Sequence, residues 1–215
     1  MPFEVLYLQL NKTAIMEARE AKCISQEIEL LFYKYGNLNY GEDVTQLEHA
    51  IQCARLAEEG GHSVELVLAA LLHDVGHLLE EAEPEKMDGF GSKYHETIGA
   101  AYLANLGFPL TITGIIEGHV AAKRYLTYAD EDYLKQLSAA SRYTLEVQGG
   151  PMTRKEAAEF EEDPLFRDMV LLRRWDDEGK KDEPVTMHDL QHFMHIMHEY
   201  LLKRHVPAEL AAEMH

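Results

Sequence analysis

Apolar residues recur along most of this chain at intervals of three and four positions, the period typical of amphipathic helices. Helix-capping residues precede several of these segments, namely Asp43, Ser63, Thr153 and Thr186, and Gly36 and Gly60 follow others. No two segments alternate in the way that would predict paired strands, so the chain is predicted to be all-α. The predicted helices cover residues 14–35, 43–59, 63–79, 94–106, 112–125, a short piece of 128–141, segments starting at 153 and 164, and 186–204.

Two stretches lack this period. Residues 1–14 mix apolar and polar side chains without order, which predicts an irregular or short extended arm. Residues 81–91 are acidic and contain Pro84, which predicts a loop.

Length and charge restrict the class of protein. With 215 residues, the chain is predicted to form a single domain over residues 1–215, with its core at about residues 40–181, an N-terminal arm and helix before the core and a C-terminal helix after it. The net charge of -18 argues against a nucleic-acid or anionic-membrane surface. Apolar runs are too short to span a bilayer, the first residues lack a signal-peptide pattern, and the two cysteines suggest no disulfide framework. We therefore expect a cytoplasmic protein that acts on a small molecule.

The stretch Leu71–Leu79 places two imidazoles and a carboxylate among leucines. If this stretch is helical, His73 and His77 lie one turn apart on one face and Asp74 lies beside them. Such groups are costly to bury unless they are paired. A hydrogen-bonded His–Asp pair in the core would explain two of them, but a metal ion explains all three better, because neutral imidazole and carboxylate are metal ligands.

Further candidate ligands lie on the neighbouring predicted helices, namely His49 before this stretch and His95 and His119 after it. Facing helices of a bundle commonly build a metal site in this way. This order, followed by a late Asp at 176 or 177, resembles the HD-domain superfamily, whose fold is an all-α helical bundle.

The flanking segments sharpen the resemblance to the HD-domain oxygenases of phosphonate degradation, which are similar in fold to myo-inositol oxygenase. The segments that carry this likeness are residues 41–49, 119–126, 137–141, 148–152 and 172–177, with Lys180 after them. The resemblance implies two iron ions in a mixed-valence Fe(II)/Fe(III) state and O2 as co-substrate. It also implies cleavage of the C–P bond of a 1-hydroxy-2-(amino or trimethylammonio)ethylphosphonate, which gives inorganic phosphate and glycine or glycine betaine.

The resemblance also implies a ligand set. One iron is expected at His49, His73, Asp74 and Asp176, and the other at Asp74, His95 and His119, with Asp74 as the bridge. Asp176 is preferred over Asp177 because the family has a lysine four residues after the ligand, as Lys180 follows Asp176. Six such groups exceed what one metal with an open position needs. The residue types alone leave iron, manganese and zinc open.

Several residues are predicted to contact the substrate. Lys123 lies one turn beyond His119, and Arg173 lies three residues before Asp176, so both cations can reach a bound phosphonate. The further substrate-binding candidates are His77, Ser141 and Lys180, together with Glu42, which the family places near the substrate amine, and Asn39 and Tyr40, where the family has a gating tyrosine. His77, Lys123 and Glu42 are also predicted to take part in catalysis.

Other functions remain open at this stage. The main alternative is a metal-dependent HD-domain phosphohydrolase, in which a metal-bound water attacks a phosphate ester. A regulatory protein whose metal site is not catalytic is a less favoured alternative. The stripe of His188, His192, His195 and His198 suggests either a second metal site or, preferably, a partly exposed helix face.

Overall fold

The structure is a computed structural model that describes residues 3–39, 43–79 and 93–205, with side chains described from residue 18 to residue 204. All regular elements in these ranges are helices, and none of the described residues lies in a strand. This confirms the all-α prediction. The helices are α1 Phe3–Tyr35, α2 Gln46–Glu59, α3 Val64–Leu72, α4 Val75–Leu79, α5 His95–Asn105, α6 Leu110–Ala129, α7 Tyr133–Gln136, α8 Ala139–Val147, α9 Arg154–Glu161, α10 Phe166–Glu178 and α11 Met187–His205.

The contacts divide the described chain into two compact units. The first comprises α1 up to Leu30 and the chain from Met187, and it buries Ile28, Phe193 and Met197. The second spans Leu31–Thr186. The single domain over residues 1–215 remains a prediction.

The predicted N-terminal arm is wrong, because α1 is helical from Phe3 onwards. Between Phe3 and Tyr35 the sequence contains neither glycine nor proline, so no residue in this stretch interrupts the helix. The helix ends where Gly36 follows, as the sequence predicted.

In the second unit, α6 packs against α3, α5 and α10, and α10 also packs against α2 and α3. The core between these helices is fully buried and aliphatic, and its largest members include Leu68, Leu72, Ile112, Ile116 and Leu172. This arrangement brings α2, α3, α5, α6 and α10 together, and all the predicted metal ligands lie on these helices or directly beside them.

Side-chain caps fix where several of these helices begin. Ser63 and Thr153 cap α3 and α9 as predicted. The predicted Asp43 cap of α2 is wrong: Thr45 caps this helix, and its hydroxyl and backbone exchange hydrogen bonds with Glu48 in a capping box. The box satisfies more of the free backbone donors than Asp43 alone could.

The predicted continuous helix over residues 63–79 is interrupted. α3 ends at Leu72, His73 and Asp74 form a turn, and α4 begins at Val75. A Cβ atom on Gly76 would lie 2.0 Å from the carbonyl oxygen of His95, so only glycine allows the α4 backbone to approach α5 so closely. The turn therefore sets Asp74 beside the start of α5.

The region after α6 also differs from the prediction. α6 continues to Ala129, α7 is a single turn, and α8, capped by Ser138, was not predicted. The predicted loop at residues 81–91 lies outside the described residues. Among the described helices, none is long and apolar enough to cross a membrane.

Candidate active site

The six predicted metal ligands converge in the second unit. All six are buried, with relative exposures between 0% and 8%. They come from α2, the turn after α3, α5, α6 and α10, and they are His49, His73, Asp74, His95, His119 and Asp176.

Asp74 lies at the centre of this group, and its two oxygens face different histidines. Its Oδ2 is 3.6 Å from Nε2 of His49 and 3.5 Å from Nε2 of His73. Its Oδ1 is 3.4 Å from Nε2 of His95 and 3.8 Å from Nε2 of His119. One carboxylate thus separates two pairs of imidazoles, as a carboxylate between two metal ions would.

The sixth group, Asp176, belongs to the first of these pairs. Its Oδ1 lies 3.4 Å from Nε2 of His49. Burial would raise the pKa of the Asp176 carboxyl, but Arg173 and Lys180 hold it well below the usual range. Asp74 is also ionised, since the surrounding imidazoles outweigh burial and hold its pKa well below the usual range.

Backbone carbonyls orient three of the four imidazoles. Nδ1 of His73 lies 2.8 Å from the Ala70 carbonyl, and Nδ1 of His119 lies 2.6 Å from the Ile116 carbonyl. Nδ1 of His49 lies 2.8 Å from the Gly179 carbonyl. Because a carbonyl only accepts, each Nδ1 carries a hydrogen, and in a neutral ring Nε2 then presents a lone pair. Burial also lowers the pKa of both His73 and His119, which keeps these rings neutral.

This arrangement fits a bound cation. Nε2 of His49 and Nε2 of His73 are only 3.2 Å apart. This separation suits a shared metal ion, since two nitrogen ligands of one metal ion lie about 3 Å apart when each bond is about 2.1 Å. Nε2 of His95 and Nε2 of His119 are 3.1 Å apart in the second pair. The donor set of imidazoles and carboxylates suits iron, manganese or zinc.

His77 lies next to the second pair. Its half-buried ring stacks on that of His95, with centroids 4.1 Å apart and planes 19° from parallel. Burial, together with His95, lowers the pKa of His77 to about 3, so this imidazole is neutral near pH 7. It can accept a hydrogen bond beside the cluster, as the predicted substrate role requires.

Three cations lie on the other side of Asp176. Lys123 and Arg173 are each 3% exposed, and Nζ of Lys180 is 3.6 Å from Oδ1 of Asp176. Lys123 donates to the Thr144 hydroxyl over 2.9 Å, and Lys180 donates to the Ser141 hydroxyl over 3.2 Å. Burial and the neighbouring Arg173 lower the pKa of Lys123 to about 7. The structure therefore brings the predicted residues Lys123, Ser141, Arg173 and Lys180 together.

Other predicted residues are not assembled here. Asn39 is exposed at the end of the first described range. Tyr40 and Glu42 lie outside the described residues. The predicted stripe of His188, His192, His195 and His198 lies on α11, where three of the four are exposed, and the potential metal ligands that cluster in the described part of the chain do not include them.

Several polar residues around the site were not predicted. Tyr133 and Asp177 contact Arg173, and the buried Gln52 side chain exchanges two hydrogen bonds with the backbone of Lys181. The Cys53 thiol is buried 3.8 Å from Nδ1 of His49 and donates to the Trp175 carbonyl. Of these, the sequence analysis weighed only Asp177, as the alternative to Asp176 for the late ligand; the others depend on contacts between distant segments.

Comparison with known proteins agrees with this geometry. Residues 47–148 match the HD domain family. Hydroxymethylphosphonate dioxygenase of Gimesia maris is 45% identical over 164 residues, which cover 76% of this chain and 81% of that protein. The chain belongs to the HD-domain phosphonate dioxygenases. A second member of the family, the glycine-betaine-forming [1-hydroxy-2-(trimethylamino)ethyl]phosphonate dioxygenase of Leisingera caerulea, is 42% identical over 164 residues, 76% of this chain and 83% of that protein. An uncharacterized protein of Acanthamoeba polyphaga mimivirus is 43% identical over 173 residues, 80% of this chain and 78% of that protein.

Membership among the HD-domain phosphonate dioxygenases implies an enzyme that binds metal and uses O2. It confirms the family that the order of histidines and the flanking segments predicted. It also weighs against the phosphohydrolase, since both of the relatives with a named activity are dioxygenases.

Proposed function

We propose that this chain holds two iron ions and uses O2 to cleave the C–P bond of a 1-hydroxyphosphonate. The observation that carries the proposal is the Asp74 carboxylate between two pairs of imidazoles, with the buried cations Lys123 and Arg173 and the half-buried Lys180 beside the cluster. His49, His73, Asp74 and Asp176 would hold one iron, and Asp74, His95 and His119 the other. Bound iron would supply the electron transfer and the Lewis acidity that O2 chemistry needs.

The cations support an anionic substrate. A phosphonate must enter a protein whose net charge is -18, so it needs local positive charge. Lys123, Arg173 and Lys180 exceed the adjacent carboxylates Asp176 and Asp177 by one charge, and Ser141 adds a hydroxyl. A bound dianion would raise the pKa of Lys123 from about 7 and keep its ammonium protonated in the complex.

The role of His77 follows from its position beside the cluster: Nε2 or Nδ1 of the neutral ring would accept a hydrogen bond from the substrate hydroxyl. Glu42, Asn39 and Tyr40 would meet the R group of the substrate, as the resemblance to the family implies. The balanced reaction is RCH(OH)PO3²⁻ + O2 → RCOO⁻ + HPO4²⁻ + H⁺. One oxygen atom is thus gained by carbon and one by phosphorus.

The substrate that we propose carries an amino or trimethylammonio group on C2, so the carboxylate product would be glycine or glycine betaine. One relative acts on such a trimethylamino compound, and another is named for hydroxymethylphosphonate, which has no C2. Comparing kcat/KM for these three substrates identifies the group that R represents.

The test measures phosphate release by iron-loaded protein with each substrate, with and without O2. We expect one phosphate per O2 consumed and none under anaerobic conditions. Release that continues fully without O2 would overturn the oxygenase and favour the phosphohydrolase. A protein that binds no iron would overturn the diiron site.

A further inference from the structure

Arg173 is held between two successive carboxylates of its own helix. Its Nη1 donates to Oδ2 of Asp176 over 2.5 Å. Its Nη2 donates to Oδ1 of Asp177, and its Nε lies 3.3 Å from Oδ2 of the same carboxylate. The guanidinium thus forms a two-point contact with Asp177 and a single contact with Asp176.

A tyrosine from a separate segment closes this network. The Tyr133 hydroxyl donates to Oδ2 of Asp177 over 2.5 Å and accepts from Nε of Arg173 over 2.9 Å. The ring is 3% exposed and packs with Leu126, Leu137 and Leu145. Tyr133 is therefore fixed by a core that α6, α7 and α8 mainly form, with Val170 of α10 packed against it.

The network determines which oxygen of Asp176 faces the histidines. Oδ2 is taken by Arg173, while Oδ1 lies 3.4 Å from Nε2 of His49. If Asp177 were absent, Arg173 would keep its full charge toward Asp176 and compete with a metal ion for that carboxylate. Asp177 reduces this competition by binding the opposite edge of the guanidinium.

We propose that Tyr133 and Asp177 are positioning residues for the metal centre: they anchor Arg173 so that Asp176 presents one oxygen to the iron beside His49. This inference rests on the proposed diiron site. It does not conflict with a substrate role for Arg173, since Nη1 and Nη2 each carry a second hydrogen. The inference predicts that Tyr133 and Asp177 affect iron retention. A role in phosphonate binding alone would have no such effect.

Two substitutions test the proposal with little disturbance of packing. Tyr133→Phe removes only the hydroxyl, and Asp177→Asn removes the charge but keeps the shape. Tyr128→Phe, on an exposed tyrosine, and Glu178→Gln, on the exposed neighbour of Asp177, are the matched controls. The measurement is iron per chain against time in excess chelator, with the unfolding temperature of each iron-free protein alongside.

We expect iron to leave Asp177→Asn about tenfold faster than wild type, as is typical when an outer partner of a metal ligand is lost. Tyr133→Phe should lose iron a few-fold faster, and both controls should match wild type. Unchanged retention in both test variants, or faster loss that only parallels a lower unfolding temperature of the iron-free protein, would overturn the inference. Wild-type protein that binds no iron would instead overturn the proposed function.

Discussion

This site has an imidazole side, formed by the metal-ligand candidates around Asp74, and a cation side, formed by Lys123, Arg173 and Lys180. The side chains of the two sides are held in different ways. His73 and His119 each donate to a carbonyl three residues earlier in the same stretch of chain. Lys123 and Lys180, by contrast, donate to side chains that are 21 and 39 residues away in the sequence. Two of the imidazoles are thus oriented by local backbone, and two of the cations by the docking of separate segments.

We expect this difference to make metal binding and substrate binding separable by mutation. Changes in α8 or at Lys180 should alter how the substrate binds and leave the metal largely in place. Changes to the carboxylates at the centre should remove the metal itself. Four substitutions, from the largest expected effect to the smallest, test this separation.

Asp74→Ala should have the largest effect, because both imidazole pairs lose their shared carboxylate. We expect almost no bound iron, measured as iron per chain after loading and desalting, and no phosphate release. Asp132→Ala, at an exposed position, is the control. If Asp74→Ala still held two irons per chain, Asp74 would not be the bridge.

Lys123→Met should weaken substrate binding at the cation side without affecting iron binding. A charge-assisted hydrogen bond contributes about 1.5–3 kcal/mol, so KM for the phosphonate should rise by about 10- to 100-fold. Iron content should stay at the wild-type level. Lys135→Met, on a lysine whose side chain is 76% exposed, should change neither quantity. A parallel loss of iron would show that the two sides are not separable.

Gln52→Leu tests the loop that joins the two sides. The Gln52 amide donates to the Lys181 carbonyl over 2.8 Å and accepts from the Lys181 backbone over 3.0 Å. Losing both should let Lys180 move from Ser141, and KM should rise by about 3- to 10-fold, as expected for one or two neutral hydrogen bonds.

A double-mutant cycle provides the control for this position. If Gln52 acts through Lys180, the Gln52→Leu/Lys180→Met double variant should bind substrate no more weakly than Lys180→Met alone. Fully additive losses would contradict this. Gln136→Leu, at an exposed glutamine, should resemble wild type.

Glu156→Gln should have the smallest effect, because Glu156 lies outside both the imidazole side and the cation side of the site. Hydrogen bonds from the Thr153 backbone and from Arg124 lower the pKa of Glu156 from 4.5 to about 2. A lowered carboxyl pKa stabilises the fold above the unfolded value and loses this contribution as the pH falls through the folded value. The variant should therefore unfold at a lower temperature than wild type above pH 5, and the gap should shrink as the pH falls from 4.5 toward 2. An undiminished gap at low pH would rule out the charge as its cause.

The sequence was sufficient for the residues that form both sides of the site and insufficient for the residues that hold them in place. His49, His95 and His119 could be found because each occupies a regular position on a predicted helix and follows the family order. Tyr133 and Gln52 could not, since their partners lie 40 or more residues away. The break at His73–Asp74 was missed for a similar reason, because it depends on the contact of Gly76 with the backbone of α5.

The hydrogen bond between His49 and the Gly179 carbonyl spans 130 residues of chain, and this has a consequence for the order of folding. α2, α3, α5 and α6 meet partners close in sequence, so they can associate at a small cost in chain entropy. α10 must return across more than a hundred residues to reach α2. We expect the first five ligands to gather before Asp176 arrives, so pulse-labelled hydrogen exchange during refolding should protect the amides of α3 and α6 before those of α10.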